Sequence, residues 1–518
     1  MKIYSFKNIY IVLGFVTIFM ALSCDSDLEG LNKNPDVYGE IIPEFLFTKA
    51  QLDAVNVSYF GTAALTIAGS MQQFATYKEV PAAGDKYFND GYSKSYFSTI
   101  YPLAVNEIQE VIRAVSEDPE DVNKLSVARI WKAYIFHHIT DLYGDIPYSE
   151  AGKGVTDKIY TPKYDEQSII YLDMLTELED AASSLDSDKV TFGSSDLLYG
   201  GNVEQWRKFA YSLMLRLGMR LTNVDLQLSE TWVKKAIEGG VILENSDLAA
   251  ISYVDGSQVS SRNPIAQGLM NGDYINPQSV ENVEGGKYAK TFIDYLKDTE
   301  DPRLNVLSVV WVDNGNGLYV ADTTSTIQIG MPNAAFNNRP EDFAIYSEPH
   351  PETILAYDSP LMVMTNAEMN LLMAEAAIRG WFAGDAALLY GQAVAAGMDQ
   401  WALYGDAGVI SEQRVNTYLT NNPFNTAGSF EEKMDQIQTQ KWVALFLDEY
   451  EIFANWRRTG YPDLIPVNYP GNLTGGKIPT RFVLPDSEST INAANYKEAL
   501  DRQGVGNALT STVWWDKP

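Results

Sequence analysis

Apolar residues follow four different patterns along the chain. The first is a 14-residue stretch, Ile9 to Leu22, preceded by Lys2 and Lys7. It is shorter than the roughly 20 residues that cross a hydrocarbon core of about 30 Å, and it suits the apolar core of an export signal. The second pattern is helical. Between Pro43 and Tyr77 apolar positions recur through Phe45, Leu46, Ala50, Leu52 and Val55, break near Gly61, and resume at Leu65, Ala68 and Phe74. From Asp121 to Leu142 the residues Leu125, Ala128, Trp131, Ile135, Ile139 and Leu142 step by three and four, so one stripe meets a core. Gly144 and Pro147 stop that helix. A helix from Asn202 lines up Trp206, Phe209, Leu213, Leu217 and Leu221, with Arg207, Arg216 and Arg220 expected mostly off the stripe.

The third pattern is the loss of helical period between about 250 and 350. There Val306 to Val312 and Leu318 to Val320 flank Asp313-Asn314-Gly315-Asn316-Gly317, a hairpin turn signal. Helices then return over Thr365–Arg379 and Ala383–Trp401. Ser429 and Glu432 form a capping box opening one long helix that carries Met434, Ile437, Trp442, Leu445, Phe446 and Phe453 inward. Past Gly460 the chain is proline-punctuated, with a last helix over Thr490–Leu500. The fourth pattern is aromatic. Tyr77 to Tyr101 mixes tyrosine and phenylalanine with Gly, Asp and Asn, which predicts a ring-rich loop running into a helix. The fold expected is mainly α: helix pairs forming a scaffold, interrupted by a long loop-rich region with short β-hairpins. No strict 34-residue period is present.

Composition sharpens this. The only cysteine, Cys24, follows the apolar run directly, and Asp25, Asp27 and Glu29 come next. Ala21-Leu22-Ser23-Cys24 reads as a lipidation box, although leucine is more usual where Ala21 stands. The competing reading is a free thiol in an ordinary secreted protein. Lipid chains add about 0.8 kcal/mol per buried methylene, so acylated Cys24 would hold a soluble body to a bilayer. Residues 1–23 are then a signal peptide, 24–40 a polar tether and 41–518 one binding domain. The net charge is −30. Such a surface repels phosphate backbones, which argues against a nucleic-acid partner.

Candidate chemistry is sparse. His137-His138 with Asp141 and Asp145 invites a metal, but His350 is the only other histidine and helical hydrogen bonding is the better account. A calcium loop at Asp313–Asp322 fails because Gly315 and Gly317 fall where oxygen ligands belong. Gly475-Gly476-Lys477 lacks the rest of a phosphate loop. Paired carboxylates for glycoside hydrolysis stay open, since spacing in the chain does not report separation in space. No catalytic residue, metal or cofactor is assigned. The notable resource is 31 Tyr, 21 Phe and 10 Trp. Trp131, Trp206 and Trp442 sit in periodic helices and read as core. Tyr77, Tyr87, Tyr92 and Tyr274, with Asn263, are the expected ligand contacts, against the plainer reading of rings packed within loops.

Several stretches together resemble the SusD/RagB family of outer-membrane lipoproteins from Bacteroidetes, in its SusD-like branch. They are Leu31-Asn32-Lys33-Asn34-Pro35, Trp131-Lys132-Ala133-Tyr134, and Asp141 through Ala151. Further on come Trp206 to Ala210, Asp301-Pro302-Arg303-Leu304, Trp456 to Pro462, Ile478 to Phe482 and Val513-Trp514-Trp515. The resemblance implies tetratricopeptide-like helix pairs under a loop-rich ligand face, with no catalysis. It also implies a SusC-like TonB-dependent outer-membrane transporter as partner and a lipid-anchored place facing the cell exterior. Capture of oligosaccharides is the function it implies. An oligopeptide binder of the same architecture, a surface glycosidase and a purely structural helical adaptor are the alternatives.

Overall fold

The computed structural model describes residues 42–516 except 58, 78–83, 88–89, 155 and 271–285. Cys24, the signal and the tether lie outside the described residues, as does Tyr274.

Helices dominate. They are α1 (Pro43–Asn56), α2 (Gly91–Ile100), α3 (Asn106–Val115), α4 (Val122–Tyr143), α5 (Gln167–Ser184), α6 (Val203–Arg220), α7 (Leu226–Gly239), α8 (Lys290–Asp298), α9 (Asn366–Ile378), α10 (Ala386–Asp399), α11 (Phe430–Ala444) and α12 (Glu449–Thr459). They pack as pairs: α1 with α3, α4 with α5, α6 with α7, and α9 with α10. Local chemistry sets many ends. Asn202 Oδ1 accepts from the Glu204 and Gln205 amides at 3.1 Å each and starts α6. Ser429 and Glu432 complete both halves of the capping box on α11. Gly144, at φ 82°, closes α4 with its amide on the Thr140 carbonyl. Trp131, Trp206 and Trp442 are buried, as their period implies.

Several expectations are corrected. Past Gly61 the chain does not resume a simple α-helix. Residues Tyr59–Ile67 form a wider π-type turn, and Phe74 lies in strand β1 (Phe74–Thr76). The long helix expected after Ser429 is two, because Leu447 takes φ 82° and Asp448 caps a new start by accepting from the Glu451 amide at 3.4 Å. Arg216 and Arg220, expected off the apolar stripe, are almost wholly buried.

That burial is explained by an ion network through the middle of the molecule. Arg216 donates to Glu368 on α9 from Nε (2.9 Å) and Nη2 (2.6 Å), and to Asp448 at 3.3 Å. Arg220 binds Glu451 and reaches Asp141 on α4 at 3.3 Å. Lys441 closes the group, 2.8 Å from Glu451 and 3.3 Å from Glu368. Burial alone would raise the Glu451 carboxyl, but Arg220, Lys441 and Arg216 hold it well below its ordinary range. A neighbouring fork joins both Arg458 Nη atoms to Glu375 at 2.7 Å. Trp515 donates to Asp141 at 2.9 Å, and Arg457 donates to the Asp141 carbonyl at 2.6 Å. Asp145 caps α5 by accepting from the Gln167 amide at 2.9 Å and holds Arg502 at 2.8 Å.

His137 and His138 lie in this core. Among the described residues no group of three or more potential ligands comes together. His137 donates to the Tyr134 carbonyl, and His138 Nε2 is buried without a hydrogen-bond partner among the described residues. Burial, with the Arg216 charge adding to it, pushes the His138 imidazole down to about 3. The unfolded chain, titrating near 6.5, therefore binds a proton that the folded chain refuses. Stability falls as the pH drops from about 6.5 towards 3. His138→Phe should match or exceed wild-type stability at neutral pH and lose less of it on acidification. Urea midpoints at pH 7 and pH 5 check this; parallel losses in both proteins would refute it.

The loop-rich middle contains more structure than its composition suggests. After the short strands β2 (Ile146–Pro147), β3 (Tyr164–Asp165) and β4 (Ala249–Ile251), it holds the short helix Pro264–Met270 and the strands β5 (Gly286–Tyr288), β6 (Ser308–Asp313), β7 (Tyr319–Asp322) and β8 (Glu348–Pro349). The hairpin is present, with Trp311 opposite Ala321 and Val312 opposite Val320, and Asp313 Oδ1 accepts from the Gly315 and Gly317 amides. Val306, expected in its first strand, instead falls in a helical turn, Leu304–Leu307.

Candidate functional site

Strand β1 runs antiparallel to β5, with Phe74 opposite Tyr288, Ala75 opposite Lys287 and Thr76 opposite Gly286. Side chains alternate across such a pair. Phe74 and Tyr288 stack at 5.2 Å and both pack on Phe446 in the main core. Ala75 and Tyr77 belong instead to a separate apolar cluster with Ala289, Met331, Phe343 and Tyr346, against which Phe336 is half-buried. One short strand thus divides two cores.

This satellite is rich in rings. Tyr77 meets Phe343 edge-to-face at 5.1 Å and 88°, and Phe336 lies 6.4 Å from Tyr346. The Lys287 ammonium stands 4.3 Å over the Phe343 ring, and the exposed Arg339 guanidinium 5.5 Å from it. Lys287 pairs with Glu348, and Trp311 Nε1 donates to the other Glu348 oxygen at 2.7 Å. Burial lowers the Lys287 pKa despite that carboxylate. With their charges turned on one another, Lys287 and Glu348 act as a brace under the rings.

The loop carrying Met331 to Tyr346 is tied to β5 through backbone. Met331 N donates to Tyr288 O and Lys290 N to Met331 O, both at 2.8 Å, while Tyr288 N donates to Ser347 O at 3.0 Å. Asp85 accepts from the Ala334 amide at 2.8 Å and from Thr76 N at 3.3 Å, and Asn333 donates to Phe74 O at 3.1 Å. Leu318, Tyr319, Ile329 and Ile345 are exposed in these segments. The arrangement is a braced set of rings with amide and guanidinium groups nearby, suited to noncovalent recognition.

Of the expected contacts, Tyr77 lies in this cluster and is buried there. Tyr87 is buried in the main core, where its carbonyl accepts from Leu473 N at 2.8 Å. Tyr92 is half-buried on α2 with its ring against Gly61, where an added Cβ would come within 2.4 Å. Asn263 is buried as a cap. Its oxygen accepts from Ile265 N and Ala266 N, and its amide donates to the Ser359 and Pro360 carbonyls. Sequence reasoning missed Trp311, Phe336, Phe343 and Tyr346. Period two in the hairpin was a usable signal for Trp311. Val309 is opposite Glu348, so Trp311, two residues on, shares its face. Phe343 and Tyr346 carry no local signal.

Residues 35–485 match the family described as starch-binding and associating with the outer membrane. The chain belongs to the SusD-like family. Among solved structures it is similar to a chitin-binding protein, at 30% identity over 92% of this chain and 100% of that one, with a TM-score of 0.80. A SusD-like protein from Bacteroidetes AC2a matches at 26% identity and TM-score 0.81, and a SusD homolog from Bacteroides uniformis at 25% and 0.77. Both cover 92% of this chain and 100% of their own. No curated protein matches the chain. The helix pairs described above are the tetratricopeptide-like scaffold of the SusD-like fold. Within that scaffold Asp141 and Asp145 have structural roles, holding the α4–α5 junction to Trp515 and Arg502. No described helix is long and apolar enough to cross a membrane.

Proposed function

We propose that this SusD-like protein is a nutrient-binding lipoprotein of the cell surface. It captures oligosaccharides where Trp311 and Phe336 stand half-buried beside the buried rings of Tyr77, Phe343 and Tyr346, and delivers them to a SusC-like TonB-dependent transporter. The 41–518 body is the binding domain, held to the outer membrane through acylated Cys24. The single observation that carries the reading is the satellite ring cluster, set apart from the main core and braced from beneath by Lys287 and Glu348. The half-buried Trp311 and Phe336 rings meet the faces of sugar rings, and Arg339 meets hydroxyl groups. The starch-binding family description and the chitin-binding relative support α- and β-linked glucans and their amino sugars as first ligands. No step of bond-breaking is assigned to the site.

The test is calorimetric titration of malto- and chito-oligosaccharides into the protein, with a mass spectrum of the mature N-terminus from the same cells. Binding to one series is expected, weakened about tenfold, or about 1.4 kcal/mol, by Phe336→Ala, together with a lipidated Cys24 as first residue. Silence toward every glycan alongside peptide binding would replace the reading with an oligopeptide receptor. Release of reducing ends would make the protein a glycosidase, and a stable protein complex without small-ligand affinity would make it an adaptor.

A further inference from the structure

A cavity of about 810 Å³ opens among α9, α10, the 243–246 loop and the helix Glu412–Asn421. None of its lining residues belongs to the satellite ring cluster. Much of that lining is apolar: Met373, Leu389 and Ile410 are buried there, and Val415 is half-buried. Two asparagines one turn apart on α9 interrupt it. Asn370 is only 4% exposed and Asn366 8%. Asn370 Nδ2 donates to the Asn366 carbonyl at 3.2 Å and also to Asn366 Oδ1, which fixes how both amides are turned. The other two amide atoms, Asn370 Oδ1 and Asn366 Nδ2, have no hydrogen-bond partner among the described residues. Buried polar groups ordinarily find partners, so one acceptor and one donor are left for something that enters the cavity.

The remaining polar side chains of the lining are three carboxylates, two carboxamides and one hydroxyl. Glu244, Asp399 and Glu412 are exposed, and none of them is in an ion pair among the described residues. Asn245 ties its loop to α10, donating to Ala396 O at 3.3 Å and Asp399 Oδ2 at 3.0 Å, and its own Oδ1 is sealed from solvent. Gln392 and Ser246 are exposed, and their side chains have no partner among the described residues. The lining contains no lysine, arginine or histidine. An occupant must therefore match the asparagine pair, cover apolar surface and bring positive charge to the carboxylates. A peptide unit offers one N–H and one C=O. Lysine and arginine lay an apolar stem along such a surface while the charged head stays at its edge. A metal ion fits poorly, since no group of three or more potential ligands converges among the described residues. An amino sugar brings charge but would set hydroxyls against Met373, Leu389 and Ile410. The terminal carboxylate of a free peptide would meet three carboxylates and no cation, which favours an internal stretch of a longer chain.

We propose that this cavity docks a short internal segment of a partner protein that carries lysine or arginine. Asn366 and Asn370 hold one of its peptide units, Met373 and the apolar residues around it take the side-chain stem, and Glu244, Asp399 and Glu412 take the charge. The site is independent of the glycan-binding reading.

The test titrates N-acetylated, C-amidated tetralysine into the full protein at about 0.15 M salt, where long-range attraction to the acidic surface is largely screened. Saturable binding is expected. Asn370→Leu, which alters no charge, should weaken it about tenfold, and Glu412→Gln about threefold, as loss of an exposed charge pair does. Methionine-methyl NMR of the wild-type protein gives a readout that needs no variant to be stable. The Met373 signal, assigned through Met373→Leu, should move on saturation. Undiminished affinity in folded Asn370→Leu, or an unmoved Met373 methyl at saturation, puts the peptide on the acidic surface at large and overturns the site. Tighter binding of a glucosamine tetramer, or of tetralysine with free termini, also overturns it. So does the absence of binding by both the tetralysine and the corresponding tetra-arginine peptide. None of these outcomes bears on the malto- and chito-oligosaccharide titrations, so the two proposals fail separately.

Discussion

Replacing Arg216 by methionine should destabilise the protein by about 3–5 kcal/mol, the penalty for removing one partner of a buried pair. The guanidinium is completely buried and serves three carboxylates from two distant parts of the chain: Glu368, Asp448 and, at 3.5 Å, Glu451. Lys441 and Arg220 remain beside Glu451, so that carboxylate keeps its partners. Glu368 loses a two-pronged bond and retains only Lys441 at 3.3 Å. The large term is therefore an undercompensated buried charge, with lost packing second. Replacing Glu368 by methionine as well should recover part of the deficit, because an apolar pair of similar volume needs no solvation. Urea denaturation of wild type, the single variant and the double variant measures both effects. A single-variant loss below about 1 kcal/mol, in the range of exposed pairs, would show that the network is not dry.

Gly330→Ala should weaken oligosaccharide binding about a hundredfold, as hot-spot losses of 2–3 kcal/mol do, while leaving most helical structure intact. The glycine is required by close approach. A Cβ there would lie 2.5 Å from Lys290 Cα, 2.6 Å from Ala289 O and 2.7 Å from Lys290 N, all backbone atoms at the start of α8. Backbone cannot rotate aside as a flexible side chain can, so the loop must lift off β5. That breaks the bonds joining Met331 to Tyr288 and Lys290, and with them the register that brings Phe343 and Tyr346 to Tyr77. Hydrogen exchange provides a readout independent of any ligand. The Lys290 and Met331 amides should exchange rapidly in the variant. Continued protection, or wild-type affinity, would contradict the account.

What could be read from the chain follows from how local each cause is. The α4 stripe, the Ser429 box and the Gly144 stop were legible because the residues that cause them lie within a few positions of one another. Arg216 and Arg220 were not, since Glu368 is 152 residues away and Glu451 is 231. Leu447 gives no local hint of a positive φ either. The backbone turn there delivers Asp448 to Arg216, a requirement visible only in the folded molecule. At the proposed ligand face, Tyr77 stood out through its ring-rich neighbourhood. Phe343 and Tyr346 acquire meaning only once β1 finds β5. Tyr87 and Asn263 show the converse, for the burial of Tyr87 beside Phe453 and Phe482, and of Asn263 against Ser359 and Pro360, is decided by distant chain.

The Asp141–Trp515 bond spans 374 positions, and it bears on how such a molecule comes apart. In an open solenoid each repeat leans only on its neighbours and can fray from one end. Here α4 is clasped by Trp515, so the last residues cannot peel away without uncovering the Asp141 carboxylate at the centre. Such distant closure slows folding. A molecule closed in this way should come apart as one unit rather than pair by pair.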